Sequence, residues 1–297
     1  MPSNDVNNAK FVPWNSQDLN EWTKKYATGS TINLDGKPTH YIKTGDGPPL
    51  LLIHGFFGHA LVWRLNIQAL SEHFTVYAPD LWGLGYSTRE PLDYGWKLYS
   101  RQIKLFVNAM GIEKCCIGGL SMGGGIAIQF TNDNPEMVEK LFFVDPAVFP
   151  QKKTIKDGVF AWPVVGPFLL NLPNDKLRKK VMGDKFYSDV KLITEEGYKA
   201  TTWHHKIKGT TEVLRTILKS GFIGQLEPGV KELAEKSIPA LITWGAKDMA
   251  CTVKNAPKMQ SSLKGSELEI FENAGHLPNV EEPDRFNARV IDFLLAD

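Results

Sequence analysis

The chain has 297 residues, of which 42% are hydrophobic and 23% are charged, a composition typical of a globular protein with a large buried core. Its formal net charge is +1 and its pI is about 7.7, so no charge excess indicates nucleic acid, an anionic membrane or a polyanionic substrate as a partner. Cys115, Cys116 and Cys251 are an odd number of cysteines without metal-ligand spacing, which argues against a disulfide framework.

Residues 1–30 are predicted to form an N-terminal extension. They lack the basic stretch followed by an apolar stretch that a secretory signal requires. No run of the sequence reaches the length of a membrane span. We therefore expect a cytoplasmic protein without a membrane span.

Short apolar runs then alternate with helical patterns. The segment "TINLDGKPTHYIKTG" predicts an antiparallel hairpin at a sheet edge. Further strands that enter loops are predicted at "PLLLIHG", "FTVYAPD", "KCCIGG", "KLFFVDP", "PALITWG" and "SELEIFENAGH". Between most of them lie helix-like segments such as "LVWRLNIQALSEH" and "YSRQIKLFVNAMG". This order predicts an α/β fold with a mainly parallel sheet and helices on both faces.

The alternation stops after "KLFFVDPAVFP". Over residues 149–232 no convincing strand pattern occurs, while helical stretches such as "DKLRKKVMG" and "TEVLRTILKSGF" follow one another. A structureless loop of this size would be unusual in a compact domain. We therefore predict a core in two parts, residues 1–148 and 233–297, with a helical cap at 149–232 inserted between them.

One serine stands among glycines in "GGLSMGGG", directly after a predicted strand. Gly119, Ser121 and Gly123 match the GxSxG pattern of a nucleophile elbow, in which a strand turns sharply into a helix and exposes the serine hydroxyl. A polar loop rich in glycine and serine is the alternative interpretation. The flanks "KCCIGG" and "GGGIAIQFTNDNP", a strand pattern and a helix pattern, favour the elbow.

A serine nucleophile needs a base and an acid that orients the base. His276 follows the last predicted strand, and the order serine, acid, histidine is that of the α/β-hydrolase triad. Asp248 in "LITWGAKDMACT" and Asp145 in "LFFVDPAVF" both follow strands, and either carboxylate could hold the imidazole. We favour Asp248, because its loop should lie beside the histidine loop, and assign Asp145 to the turn into the cap.

The negative oxygen of a tetrahedral intermediate needs hydrogen-bond donors. One is the backbone N–H of the residue after the nucleophile, here Met122. The loop "HGFFGHALVWR" should supply the second, from Phe56, because glycines on either side allow the backbone to fold back. His54 in the same loop is expected to bond neighbouring loops, since one triad does not use two bases.

Taken together, "HGFFG", "DLWGLGYS", "GLSMGG", "WGAKD" and "NAGHLPNVEEPDRFN" resemble the α/β-hydrolase superfamily, in that order, over about residues 31–297. The resemblance implies an eight-stranded, mainly parallel sheet, a helical cap after the sixth strand, and neither a cofactor nor a metal. The cap arrangement is similar to that of haloalkane dehalogenases, epoxide hydrolases, carbon–carbon bond hydrolases and small esterases or lactonases.

Within that superfamily, dehalogenases and epoxide hydrolases use an aspartate nucleophile, whereas this elbow carries Ser121. Carbon–carbon hydrolases usually have an asparagine before the serine and a glycine-rich oxyanion loop, whereas this chain has Leu120 and Phe56-Phe57. The string "GLSMGG" is similar to enol-lactone hydrolases and related carboxylesterases. We therefore expect a serine hydrolase acting on a small-molecule carboxylic ester or lactone.

Two alternatives remain open at this point, a carbon–carbon bond hydrolase of a vinylogous diketone and a hydrolase-like receptor for a small ligand. Candidates for a bulky apolar substrate pocket are Phe57, Trp82, Phe149, Trp162 and Leu277. The sequence carries no signal for the oligomeric state or for the physiological substrate.

Overall fold

The computed structural model describes residues 12–150 and 175–296. An eight-stranded sheet forms its centre, with strand order β1-β2-β4-β3-β5-β6-β7-β8. The strands are β1 (Ser30–Leu34), β2 (Lys37–Thr44), β3 (Pro49–Ile53), β4 (Thr75–Pro79), β5 (Cys115–Leu120), β6 (Val138–Val144), β7 (Ala240–Gly245) and β8 (Glu267–Phe271). Strands β3 to β8 run parallel to one another, and β2 is antiparallel to both β1 and β4.

The predicted hairpin is confirmed at the β1 edge. Leu34 pairs with Lys37 across a two-residue turn, and both turn residues, Asp35 and Gly36, have positive φ angles of 53° and 79°. Such a turn matches the twist of the flanking strands, which explains why Asp-Gly closes this hairpin.

Helices surround the sheet. They are α1 (Leu19–Tyr26), α2 (Ile67–Ser71), α3 (Trp96–Ala109), α4 (Met122–Asp133), α5 (Asp175–Phe186), α6 (Glu195–Thr202), α7 (Thr210–Ser220), α8 (Glu227–Ala234), α9 (Asn255–Ser262), α10 (Pro278–Glu281) and α11 (Pro283–Leu295). Short 3₁₀ helices cover Ala60–Trp63, Pro135–Met137, Val190–Leu192 and Trp203–Lys206. No helix in the described ranges combines the length and the apolar character needed to cross a bilayer.

Side chains of β3 alternate between two apolar layers, one on each face of the sheet. Leu51 and Ile53 pack in a layer that includes residues of α3, α4, α8 and α9, while Leu50 and Leu52 pack against residues of α2 and α11. All four side chains are completely buried. This confirms the predicted α/β architecture with helices on both faces.

The helix expected over "LVWRLNIQALSEH" is divided into the 3₁₀ helix Ala60–Trp63 and α2. The break lies next to Asn66, which is fully buried. Its side-chain amide donates to the Asn279 carbonyl oxygen and to Asn287 Oδ1, both at 2.8 Å. Asn66 thus joins this loop to α10 and α11.

Between β6 and β7 the described residues form α5 to α8 and two of the 3₁₀ helices, and this described part contains no strand. The helical content agrees with the sequence pattern, and the division of the chain into core and cap stays a prediction. Trp162, one of the candidate pocket residues, lies outside the described residues.

Candidate active site

Ser121 lies between the end of β5 and the start of α4. Its backbone has φ 54° and ψ −117°, a conformation that is unusual for any residue with a Cβ. The Ser121 N–H donates to the Val144 carbonyl at 2.8 Å, and the Ser121 carbonyl accepts from the N–H groups of Gly124 and Ala147, both at 3.0 Å. These bonds hold the strained turn, and the residue remains partly exposed. This geometry matches a nucleophile elbow.

Steric crowding explains why glycines surround Ser121. A Cβ on Gly119 would lie 2.5 Å from the Gly123 carbonyl oxygen, and a Cβ on Gly123 would lie 2.2 Å from the Ile53 carbonyl oxygen. In the neighbouring loop, a Cβ on Gly55 would lie 3.1 Å from Ser121 Cβ. The tight turn therefore depends on close backbone approach at positions 119 and 123, as the GxSxG pattern predicts.

Asp248 and His276 meet at the carboxyl ends of β7 and β8. His276 Nδ1 lies 2.7 Å from Asp248 Oδ2, and both side chains are buried. Because a carboxylate only accepts hydrogen bonds, Nδ1 carries the hydrogen and the lone pair remains on Nε2. This is the tautomer that a general base for a serine hydroxyl requires.

The second oxygen of Asp248 is held by its own loop. Oδ1 accepts from the Ala250 N–H at 2.6 Å and from the Cys251 N–H at 2.8 Å. Burial alone would raise the pKa of Asp248, but the neighbouring His276 and these hydrogen bonds bring the pKa below its usual value. Asp248 is therefore an anion fixed on both oxygens.

Asp145, the competing acid, follows β6 and is completely buried. Its Oδ1 accepts from the Gly245 N–H at 2.9 Å, and its Oδ2 has no hydrogen-bond partner among the described residues. No hydrogen bond among the described residues joins Asp145 to His276. Burial, together with the Asp248 charge, raises the pKa of Asp145 well above its usual value. Of the two candidates, the structure brings Asp248 to the histidine.

Cys251 lies next to this pair, a position that the sequence did not indicate. Its N–H donates to Asp248 Oδ1 at 2.8 Å. One donor atom each of Asp248, Cys251 and His276 lies within 4.8 Å of the others, and these residue types also occur in zinc sites. Burial raises the pKa of the Cys251 thiol well above its usual value, and Asp248 and His276 are bonded to each other. We therefore interpret the group as an acid–base pair beside a neutral thiol.

Two backbone N–H groups near Ser121 have no acceptor among the described residues. Met122 is the first residue of α4, so its N–H has no partner within the helix. The Phe56 N–H, in the loop after β3, is likewise not donated to another described group. These are the two donors expected from the sequence, and both remain available to an oxygen of a bound molecule.

Histidines on either side support the loop after β3. His54 Nδ1 donates to the Gly55 carbonyl at 2.8 Å, and Nε2 accepts from the Leu81 N–H at 2.9 Å, so this ring joins neighbouring loops as expected. Burial lowers the pKa of His54 to about 4. From the 3₁₀ helix Trp203–Lys206, His205 Nε2 donates to the Phe57 carbonyl at 3.0 Å. This contact fixes Phe57, which has a positive φ of 65°.

The candidate pocket residues fall into two groups. Phe57 and Leu277 are partly exposed, and the Phe57 ring touches the ring of Phe56, also partly exposed, edge to face with their centroids 4.6 Å apart. Trp82 and Phe149 are 0% and 1% exposed and belong to the core layer that contains α3 and α4. We therefore do not assign substrate contacts to Trp82 and Phe149.

The end of α5 and the residues that follow it pack directly on the histidine loop. The His276 N–H donates to the Phe186 carbonyl at 2.9 Å. Glu281 accepts from the Gly275 N–H at 2.9 Å and from the Ser188 N–H at 2.8 Å, so one carboxylate joins this loop to the segment after α5. Sequence reasoning did not identify Glu281, because an acidic residue before a helix carries no distinguishing pattern.

Comparison with known proteins shows the family to which the chain belongs. Residues 48–283 match the model of a family described as alpha/beta hydrolase fold. The chain is 28% identical to 2-hydroxy-6-oxononadienedioate/2-hydroxy-6-oxononatrienedioate hydrolase 1 of Dechloromonas aromatica, over 94% of this chain and 98% of that protein. It is 27% identical to carboxylesterase YbfK of Bacillus subtilis, over 96% of this chain and 93% of that protein.

Among solved structures, the chain is similar to the meta-cleavage product hydrolase CumD of Pseudomonas fluorescens. The TM-score is 0.77 at 27% sequence identity, and the match covers 90% of this chain and 97% of that chain.

Proposed function

Because this chain belongs to the α/β-hydrolase fold family, we propose that it is a serine hydrolase that cleaves a carboxylic ester or lactone through an acyl-enzyme on Ser121. The observation that carries the proposal is the 2.7 Å hydrogen bond between His276 Nδ1 and Asp248 Oδ2, at the same edge of the sheet as the elbow that carries Ser121. A buried carboxylate, an oriented imidazole and a partly exposed serine are the parts that acyl transfer needs.

In the first half-reaction, Ser121 Oγ attacks the carbonyl carbon while His276 Nε2 takes the hydroxyl proton. The carbonyl oxygen becomes negative, and the N–H groups of Phe56 and Met122 donate to it. His276 then gives its proton to the leaving alkoxide, the C–O bond breaks, and an alcohol is released. For a lactone, the hydroxyl produced stays attached to the acyl group.

In the second half-reaction, water attacks the acyl carbon while His276 takes one of its protons. The tetrahedral intermediate collapses, Ser121 recovers its proton from His276, and the carboxylic acid leaves. Asp248 remains ionised throughout and stabilises the imidazolium that forms in each half. Loss of one oxyanion donor from such a site typically costs on the order of 3 kcal/mol of transition-state stabilisation.

The partly exposed aromatic side chains suggest a preference for apolar substrates. Phe56 and Phe57 stand in the loop that carries the proposed oxyanion donor, and Leu277 follows the proposed base directly. Apolar surface beside a few polar groups is typical of small-molecule sites. We propose that these three side chains contact the apolar part of the ester or lactone.

A carbon–carbon bond hydrolase is the second candidate, favoured by the full-length likeness to the Dechloromonas hydrolase and by the likeness to CumD. A residue-level difference supports the ester or lactone instead, because Leu120 precedes the serine and Phe56-Phe57 occupy the oxyanion loop. Both candidates use the same serine, so only the substrate separates them.

The test is a substrate panel with the full chain. Chromogenic esters of graded acyl length, several lactones and a vinylogous diketone from ring cleavage are incubated with the wild type and with Ser121→Ala. We expect turnover of esters or lactones by the wild type alone. Turnover of the diketone with no ester or lactone cleaved would favour the second candidate, and no turnover of any compound would contradict a hydrolase.

A further inference from the structure

The turn that carries one of the proposed oxyanion donors has an unfavourable residue at its third position. Residues 55–58 form a β-turn, closed by a hydrogen bond from the Gly58 N–H to the Gly55 carbonyl at 3.1 Å. Phe57 has a positive φ of 65° whereas Phe56 does not, which is the pattern of a type II turn. Glycine normally occupies this third position, because a Cβ crowds the backbone at positive φ. The turn around the Phe56 N–H therefore needs support from outside the loop.

His205 provides that support from the segment between β6 and β7. Its Nε2 lies 3.0 Å from the Phe57 carbonyl oxygen, and the two rings meet edge to face with their centroids 5.6 Å apart. The side chain is 2% exposed, and burial lowers the pKa of His205, so the ring is neutral at pH 7 and carries one hydrogen. A carbonyl oxygen only accepts, which places that hydrogen on Nε2. One side chain thus holds Phe57 through its backbone and through its ring.

The N-terminal segment in turn holds the backbone of His205. The His205 carbonyl accepts from the Asn15 N–H at 3.0 Å, and the Lys206 carbonyl accepts from the N–H groups of residues 16–17, both at 2.8 Å. The Trp14 ring packs on the His205 imidazole, with the ring centroids 4.3 Å apart. The 3₁₀ helix that contains His205 is therefore bonded both to the N-terminal segment and to the loop after β3.

We propose that His205 is a positioning residue for the proposed hydrolase reaction, which keeps the turn of residues 55–58 in the conformation that presents the Phe56 N–H to the oxyanion. The inference rests on the proposed function for its kinetic consequence, whereas the bracing of the turn does not depend on that function. His205 acts through the Phe57 carbonyl and not through contact with the substrate. The N-terminal segment acquires a role as the support of His205.

The kinetic test compares His205→Gln with His205→Met, two side chains of similar size. The glutamine amide nitrogen can replace Nε2 and donate to the Phe57 carbonyl, whereas methionine has no donor. We expect His205→Met to lower kcat on the order of 10- to 100-fold with little change in KM, because small displacements of catalytic groups have effects of this size. His205→Gln should recover most of that loss.

His204→Met is the matched control for packing. His204 precedes His205 in the same 3₁₀ helix and is 0% exposed, but neither of its ring nitrogens has a hydrogen-bond partner among the described residues. We therefore expect His204→Met to lower kcat less than His205→Met does. Equal losses in the two methionine variants would show that packing of the helix, and not the bond to Phe57, is what matters, and would overturn the inference.

Inhibition by an apolar trifluoromethyl ketone reports on the oxyanion site itself. Ser121 Oγ adds to the ketone carbon, the hydroxyl proton passes to His276, and the ketone oxygen becomes the anion that Phe56 and Met122 should bind. We expect the inhibition constant to rise in His205→Met by a factor similar to the fall in kcat, and to stay near the wild-type value in His205→Gln. An inhibition constant and a kcat that are equal in these two variants would overturn the inference.

Hydrogen exchange tests the brace without relying on activity. In the full chain, the Gly58 N–H should exchange faster in His205→Met than in His205→Gln or the wild type, because its bond to the Gly55 carbonyl closes the turn. Equal exchange in all three proteins would overturn the inference. Faster exchange in His205→Met, from a wild type that cleaves no ester or lactone, would support the brace and refute the serine hydrolase.

Trp14→Leu provides the same measurements if His205→Met does not fold. This substitution removes the ring that packs on His205 and leaves the backbone bonds of the N-terminal segment in place. We expect smaller changes in the same direction, a lower kcat at nearly constant KM and faster exchange of the Gly58 N–H. A Trp14→Leu protein with wild-type kcat, inhibition constant and exchange would contradict the support of His205 by this segment and overturn the inference.

Discussion

Asp248 Oδ2 and His276 Nδ1 lie 2.7 Å apart across 28 residues of sequence. Parallel strands β7 and β8 are neighbours in the sheet, so the loops that follow them emerge side by side at the same edge. In open parallel sheets this edge is where function gathers. The contact between Asp248 and His276 therefore follows from the neighbouring positions of β7 and β8 in the sheet.

Asp248→Asn should leave the fold intact and lower kcat by as much as ~10^4, because an amide in place of the carboxylate favours the wrong imidazole tautomer. Steady-state kinetics on the best substrate of the panel would measure this, with circular dichroism as the check on folding. Asp292→Asn is a suitable control, since that side chain is 86% exposed and lies on α11. An Asp248→Asn enzyme within about tenfold of wild type would rule out the orienting role.

Gly123→Ala should destabilise the protein by forcing the backbone of the elbow apart. The new Cβ would lie 2.2 Å from the Ile53 carbonyl oxygen, so backbone must shift in a tightly packed region. We expect a loss of about 1–3 kcal/mol or more in the free energy of unfolding, measured by urea denaturation. Gly95→Ala is the matched control, because no atom lies within 4 Å of the added Cβ. Equal urea midpoints for the two variants would contradict the steric argument.

Acidification should destabilise the fold through those buried histidines whose pKa is lowered by burial. Burial lowers the pKa of His54 from 6.5 to about 4, so between these values the unfolded chain takes up a proton that the folded chain does not. The stabilisation is fully present above pH 6.5 and is lost as pH falls toward about 4, amounting to ~3 kcal/mol. Burial also lowers the pKa of His59, His204 and His205, which adds to the loss with the same sign.

Urea unfolding of the wild type at several pH values between 7 and 5 measures this effect. His54→Gln should show a smaller loss of stability over that range, because the substituted side chain does not titrate. His73→Gln, at an exposed position, should follow the wild type. A wild type whose free energy of unfolding does not change between pH 7 and pH 5 would contradict this prediction.

Much of the fold follows from local patterns. The apolar runs that end at Ile53, Leu120 and Gly245 were readable as strands because each is short, bounded by glycine or proline and separated by helical periodicity. Asp35 and Gly36 identified the hairpin, since few residue pairs adopt its turn. The elbow could also be predicted from the sequence, because close backbone approach leaves only glycine at positions 119 and 123.

Only part of the candidate site could be predicted from the sequence. Asp145 and Asp248 both follow strands, and the choice between them depends on the direction of each carboxyl, which no local pattern encodes. Glu281 contributes through a contact made across the fold with Ser188, so its sequence neighbourhood carried no signal. For Trp82 and Phe149, residue type did not distinguish a pocket wall from the core, and burial places them in the core.

The most direct test of the central claim is the turnover number of Ser121→Ala on an ester or lactone that the wild type hydrolyses. We expect kcat to fall by about 10^6, because the serine, histidine and aspartate of such a site act as a unit. Circular dichroism and the urea midpoint should show that the variant is folded. A folded Ser121→Ala protein that retains activity within about tenfold of wild type would contradict an acyl-enzyme on Ser121.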